Sequence, residues 1–193
     1  MAQYLSESIR SGDGLPLNVS FESEWQRVGA EWIIQHIANE QSGALDLQSF
    51  PVSWPLELAT TDRGYEVIDF RPDGSAADSA AKSTSITAQQ LVECSRQAES
   101  PRIPSAFSTA AVSPGLYEQG RFEGVRYVSP EPMSGWVFTA NGFSGAVEEY
   151  LHEHLWHLVE AFPEVARFLG LPAGYWFDTA AMSAQFDPEL LIT

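Results

Sequence analysis

The residues best able to do chemistry lie in one short run, His152, Glu153, His154 and His157. Imidazoles and a carboxylate this close together could ligate zinc or shuttle protons. The run is not His-Glu-x-x-His, because Trp156 occupies the position four after His152. His154 and His157 could share one side of a helix, yet no cysteine is near and a third ligand would have to come from elsewhere. Gly142-Phe143-Ser144-Gly145-Ala146 has the outline of a nucleophile elbow, but alanine stands where the final glycine belongs and no acid and histidine follow in triad order. Ser144 reads instead as a helix N-cap. Gly-x-x-x-x-Gly-Lys and Gly-x-Gly-x-x-Gly are both missing, so nucleotide-cofactor chemistry has no support. No catalytic residue, metal or cofactor is expected.

Trp156 carries a different message. On a 3.6-residue repeat Val147, Leu151, His154, Leu155, Leu158 and Phe162 form the apolar stripe of a helix predicted over 146–161, with His154 turned into the core. Glu149, Glu153, Trp156 and Glu160 fall on the opposite face. A tryptophan among carboxylates either packs beneath the N-terminal part or anchors a partner, since interface centres favour tryptophan ringed by charge. Glu149, Glu153, Trp156, His157 and Glu160 are therefore the expected partner-binding residues.

The elements that position them can be read from pattern. Leu15 to Phe21 alternates as a strand, and Ser23 with Gln26 forms a capping box that opens a helix. Trp25, Val28, Gly29, Trp32 and His36 should make its inner face, and Ser42-Gly43 its end. Pro51, Trp54 and Pro55 mark an irregular connection, and Tyr65 to Phe70 a second strand. The small polar stretch 73–85 predicts a mobile loop, followed by a helix from Thr87, its cap, to Ala98, with Cys94 buried beside Leu91. Residues 100–115, rich in proline, serine and alanine, read as a linker. Beyond it come strands over Phe122–Val128 and Ser134–Thr139, a turn at Asn141-Gly142, and a short helix over Glu164–Leu169 begun by Pro163 and ended by a left-handed Gly170. Tyr175-Trp176-Phe177 returns as a strand, and Asp187-Pro188 opens a tail. The expected fold is α+β, a mixed or antiparallel sheet with two to four helices, in two portions, 1–105 and 106–193, that share or abut one core.

Charge narrows the function classes. Among 193 residues, 26 acids and 10 bases give a net charge of −16, and Lys82 is the only lysine. Residues 1–105 carry 15 acids and 7 bases and the remainder 11 and 3, so the acidity belongs to the body of the chain. Such a field repels nucleic acid and steers the chain toward a basic partner. Cys94 is the single cysteine, which rules out an intrachain disulfide. Met1-Ala2-Gln3-Tyr4-Leu5 begins no signal peptide, and no apolar run reaches the ~18 residues of a membrane span, so a cytoplasmic protein without membrane contact is expected.

The C-terminal portion also carries an ordered set of short motifs: Ser134-Gly135-Trp136, then His154-Leu155, then Pro163-Glu164-Val165, then Leu169-Gly170-Leu171-Pro172-Ala173-Gly174-Tyr175-Trp176-Phe177. In these it resembles a family of bacterial immunity proteins, immunity-protein family thirty-three, antidotes to polymorphic and contact-delivered toxins. The resemblance implies a non-enzymatic protein that neutralises a cognate toxin by binding it. Two other readings stay open at this point: a small metal-dependent hydrolase built on His152, Glu153, His154 and His157, and a regulatory subunit that binds a protein other than a toxin.

Overall fold

A computed structural model describes residues 5–10, 15–39, 47, 49–75 and 77–192. β1 (Leu5–Arg10), β2 (Pro16–Phe21), β3 (Leu56–Thr61) and β4 (Gly64–Asp69) form a four-stranded sheet in the order β1-β2-β4-β3. β2 and β4 run parallel, with Leu17 opposite Tyr65 and Val19 opposite Val67, while the outer pairs are antiparallel. Leu17, Val19 and Phe21 alternate into the core as the strand pattern requires. The capping box forms: Gln26 Oε1 accepts from the Ser23 N–H at 3.0 Å, just ahead of α1 (Arg27–Asn39).

α1 is turned from its expected orientation. Ala30, Ile33 and Ile34 are buried, whereas Trp25 and Val28 are 52% and 42% exposed. The cause is a second helix, α2 (Ala81–Arg96), which approaches so closely that a Cβ on Gly29 would stand 2.1 Å from the Thr84 carbonyl oxygen. That contact draws Gly29 inward and rotates the stripe away from Trp25. The expected end of α1 at Ser42-Gly43 lies outside the described residues.

α2 starts six residues earlier than the sequence suggests, inside the stretch read as a loop, and Thr87 is a buried mid-helix residue instead of a cap. Its N-terminus is capped from β4: Asp69 accepts from the N–H of Lys82 at 2.7 Å and of Ser83 at 2.9 Å, and from the Ser83 hydroxyl. Burial pushes the Asp69 carboxyl up, and these hydrogen bonds oppose it. Small residues there serve close packing. Further along, Gln90 Nε2 donates to Ser53 Oγ at 2.9 Å and to the Ala166 carbonyl at 3.0 Å, joining the two portions of the chain.

The second sheet has six strands in the order β10-β9-β6-β7-β5-β8, built from β5 (Thr109–Val112), β6 (Phe122–Arg126), β7 (Met133–Ala140), β8 (Leu151–His154), β9 (Tyr175–Asp178) and β10 (Ser183–Phe186). β5 and β7 are parallel, and every other neighbouring pair is antiparallel. One-turn α3 (Leu116–Gln119) and α4 (Leu155–Ala161) complete this α+β architecture with 3-10 turns at Val147–Glu149, Pro163–Phe168 and Pro188–Leu191. The core holds Phe122, Trp136, Phe138, Phe168 and Phe177, joined by Trp54, Ile86 and Cys94 from the first half of the chain. β5 corrects the reading of 100–115 as a linker, since Ala110 and Val112 are buried within the sheet.

The helix expected over 146–161 is the largest departure. Only its second half is α-helical, after a 3-10 turn at Val147–Glu149; Leu151–His154 pairs antiparallel with β5, Leu151 opposite Val112 and His154 opposite Thr109. Val147 and Leu151 are consequently 81% and 58% exposed, while Leu155, Leu158 and Val159 are buried. The 3.6-residue spacing is met in the sequence, but β5 offers backbone pairing that a helix through 151–154 would forfeit. Ser144 caps nothing; the Ala146 N–H is met by Glu149 Oε1 at 3.0 Å.

Two glycines are required by packing. Gly170 is not left-handed; a Cβ there would meet Gln90 Cβ at 3.0 Å and Cys94 Sγ at 3.4 Å. Gly29→Ala is expected to lower the unfolding free energy by about 1–3 kcal/mol in urea, and Gly170→Ala by less, because side chains yield more easily than a helix backbone. Equal stability of Gly29→Ala and wild type would show that α1 and α2 do not approach this closely.

Candidate partner-binding surface

β8, α4 and the 3-10 turn before them carry the five expected residues, and the structure spreads these along a strip instead of one helix face. Glu149 sits in the turn with its carboxylate on the Ala146 N–H. Glu153, on β8, accepts a hydrogen bond from the Tyr117 hydroxyl. Burial first, and then this carboxylate, push the Tyr117 phenol up. Trp156 opens α4 half-buried, edge-on to Trp54 and Phe70 with ring centroids 6.1 Å apart in each case. It thus packs against the N-terminal portion. His157 is exposed and stacks on the Trp156 indole at 3.7 Å.

Glu160 faces an open cleft of about 470 Å3, lined also by Trp54, Asp69, Phe70, Arg71 and Lys82. Lys82 Nζ lies 3.1 Å from the Trp54 ring centroid. Burial lowers its pKa, opposed by the charges of Glu160 and Asp69. Trp156, His157 and Glu160 are therefore brought together beside the chain's one lysine, while Glu149 and Glu153 lie further along the strip.

The structure brings His154 and His157 together, their rings stacked with centroids 6.3 Å apart. His152 and Glu153 are successive strand residues and so point to opposite faces. His154 is exposed, not a core residue; its Nδ1 donates to the Phe107 carbonyl at 2.7 Å. Among the described residues no three His, Cys, Asp or Glu side chains are placed to hold a metal ion. Cys94 is buried, and burial pushes its thiol up to about 11, so it is a poor nucleophile.

Two of the motifs are joined by Arg126, whose role the sequence reading did not assign. From the end of β6 its Nε donates to the Ser134 carbonyl at 3.1 Å, and its Nη1 to those of Arg102 at 2.7 Å, Leu169 at 3.1 Å and Leu171. The Trp136 indole N–H joins the Leu169 carbonyl at 3.1 Å. Ser134-Gly135-Trp136 and Leu169-Gly170-Leu171 thus meet on one guanidinium. Burial brings the Arg126 pKa down to about 10, which leaves it charged at neutral pH.

Arg126→Ala would strand several carbonyls away from water and is expected to cost about 3 kcal/mol or more. Arg126→Lys should recover little, because a compact ammonium cannot reproduce the fork. Thermal and urea unfolding of both variants check this; a lysine variant as stable as wild type would deny the brace its geometric role.

A family profile described as the Imm33-like domain matches residues 89–185, from the middle of α2 to the last strand of the second sheet. No curated protein and no solved structure matches the chain. The matched span takes in Arg126, three of the four carbonyls that Arg126 holds beside the motifs, and the fourth at Arg102. With just over half of its length inside that profile, the chain belongs to the Imm33-like domain family of immunity proteins.

Proposed function

We infer that the protein is a non-enzymatic immunity protein that binds and neutralises a cognate toxin bearing a basic surface. One observation carries the charge side of this reading. Between Arg126 and Arg167 there is no lysine or arginine, while Glu131, Glu148, Glu149, Glu153, Glu160 and Glu164 all fall in that interval. Five of these are exposed and Glu153 is half-buried. With Arg71 and Lys82 in the cleft that Glu160 lines, the acidic excess lies toward residues 148–153, and it attracts a basic target from a distance and penalises wrong partners. Trp156 contributes by holding α4, and with it His157 and Glu160, against Trp54 and Phe70. A toxin already loose in the cell is best met by fast capture, and steering supplies the speed.

Co-expression tests the reading: cells producing the toxin domain encoded beside this protein should survive only when it is present. Glu149→Lys with Glu153→Lys should weaken that rescue, whereas His152→Ala with His157→Ala should preserve it, since neither imidazole transfers a proton in this account. Loss of rescue in a folded histidine double variant would favour enzymatic detoxification instead. The association rate should fall about tenfold or more as salt rises from 0.01 to 0.15 M, where the Debye length shrinks from about 30 to about 8 Å. A rate indifferent to salt in stopped-flow mixing would remove steering from the mechanism.

A further inference from the structure

β8 leaves one long side unpaired. Leu155 N–H donates to the Ser108 carbonyl at 3.0 Å, and Thr109 of β5 sends its own N–H the other way, to the Pro132 carbonyl at 3.2 Å. Alternation along an antiparallel ladder then turns the backbone groups of Leu151 and Glu153 toward β5 and those of His152 and His154 away from the sheet. β8 is the last strand of its sheet, so among the described residues these outward N–H and C=O groups face no further strand. Edges are commonly protected by short length, charged side chains, proline or a bulge. Leu151-His152-Glu153-His154 is short and carries the charge of Glu153, but it has no lysine or proline and its register with β5 is unbroken, so its protection acts against acidic strands and not basic ones.

Beside the edge stand Val147 and Leu151, 81% and 58% exposed. Their spacing fits a helix that would shelter them, yet the chain takes a 3-10 turn and then a strand, which present them to solvent. A conflict between local pattern and adopted structure is characteristic of sites that serve something besides folding.

We propose that β8 is the docking edge for an extended, basic segment of the toxin, which adds to the sheet as a seventh strand. The proposal rests on the toxin-binding reading above. In strand addition the main chain supplies affinity and flanking side chains supply selection. Charge identifies the occupant: Glu148, Glu149 and Glu153 flank the edge, with no lysine or arginine nearer in sequence than Arg126 and Arg167. An acidic strand would be repelled there. Val147 and Leu151 give the incoming segment apolar surface to cover.

The test exploits His154, whose φ of −70° already suits proline. His154→Pro removes an outward N–H that the pairing with β5 does not use. His154→Ala removes the same imidazole and its bond to Phe107 but keeps the N–H. With an inactivated form of the toxin domain identified by rescue, calorimetry should give a Kd about tenfold or more weaker for the proline variant than for the alanine variant, at similar unfolding temperatures. Val147→Lys with Leu151→Lys, both at exposed positions, should weaken binding comparably and covers the case in which the proline variant does not fold. Equal affinity of the proline and alanine variants, or unchanged affinity of the lysine pair, would overturn strand addition while toxin binding stands. Failure of the wild-type protein to bind the domain would overturn both.

Discussion

The second sheet is organised by a cation held almost wholly by main chain. Arg126 points its guanidinium at carbonyls of residues 102, 134, 169 and 171, which belong to three separate stretches of chain. A buried charge is costly unless hydrogen-bonded, and here the bonding partners are the backbone turns themselves. The loop from Leu169 to Leu171 is held between this guanidinium and the Trp136 indole. The adjoining Gly170 then lies against Gln90 and Cys94 of α2. α2 in turn lies on Gly29 of α1, so order passes from one arginine through a central helix to the first sheet. Two of the sequence motifs, Ser134-Gly135-Trp136 and Leu169-Gly170-Leu171, are in physical terms the contact surface of that arginine and that helix.

The surface is organised by what it leaves out. Lys82, the only lysine, is laid over Trp54 and held between the charges of Glu160 and Asp69. The strip from β8 to α4 therefore presents carboxylates and histidines to solvent, with Lys82 and Arg71 confined to the cleft at its Glu160 end. Trp156 gives that strip rigidity, since its ring is engaged with Trp54 and Phe70. Acidic groups on a fixed scaffold keep their field oriented, which is what steering requires.

Strands with clean alternation were legible: β2, β4, β6, β7 and β9 fall where the pattern places them, as does the Ser23–Gln26 box. The failures share one cause, small or ambiguous residues whose role is set by distant partners. Ser83 and Thr84 look like loop material and are buried where two helices nearly touch. Ala110 and Val112 look like linker and form an inner strand. Val147 to His154 satisfies a helical repeat, yet Leu151–His154 pairs with β5, a contact some forty residues away that no local pattern reports. Arg126 was invisible as a brace because its partners are carbonyls, which every residue has. Of the candidate site, the residue types were readable and their arrangement was not. The sequence placed Glu149, Glu153, Trp156 and Glu160 on one helix face; the structure strings them along an open sheet edge and the helix beyond it.

The central claim is that a basic toxin is met by the strip running from residue 147 to residue 160. Amide hydrogen exchange of the full chain, alone and saturated with the inactivated toxin domain, addresses it most directly. The account predicts slowed exchange concentrated on 147–160, with the amides of His152 and His154 among the most affected and the four-stranded sheet unchanged. Protection centred on β1 to β4, with 147–160 exchanging as in the free protein, would contradict it.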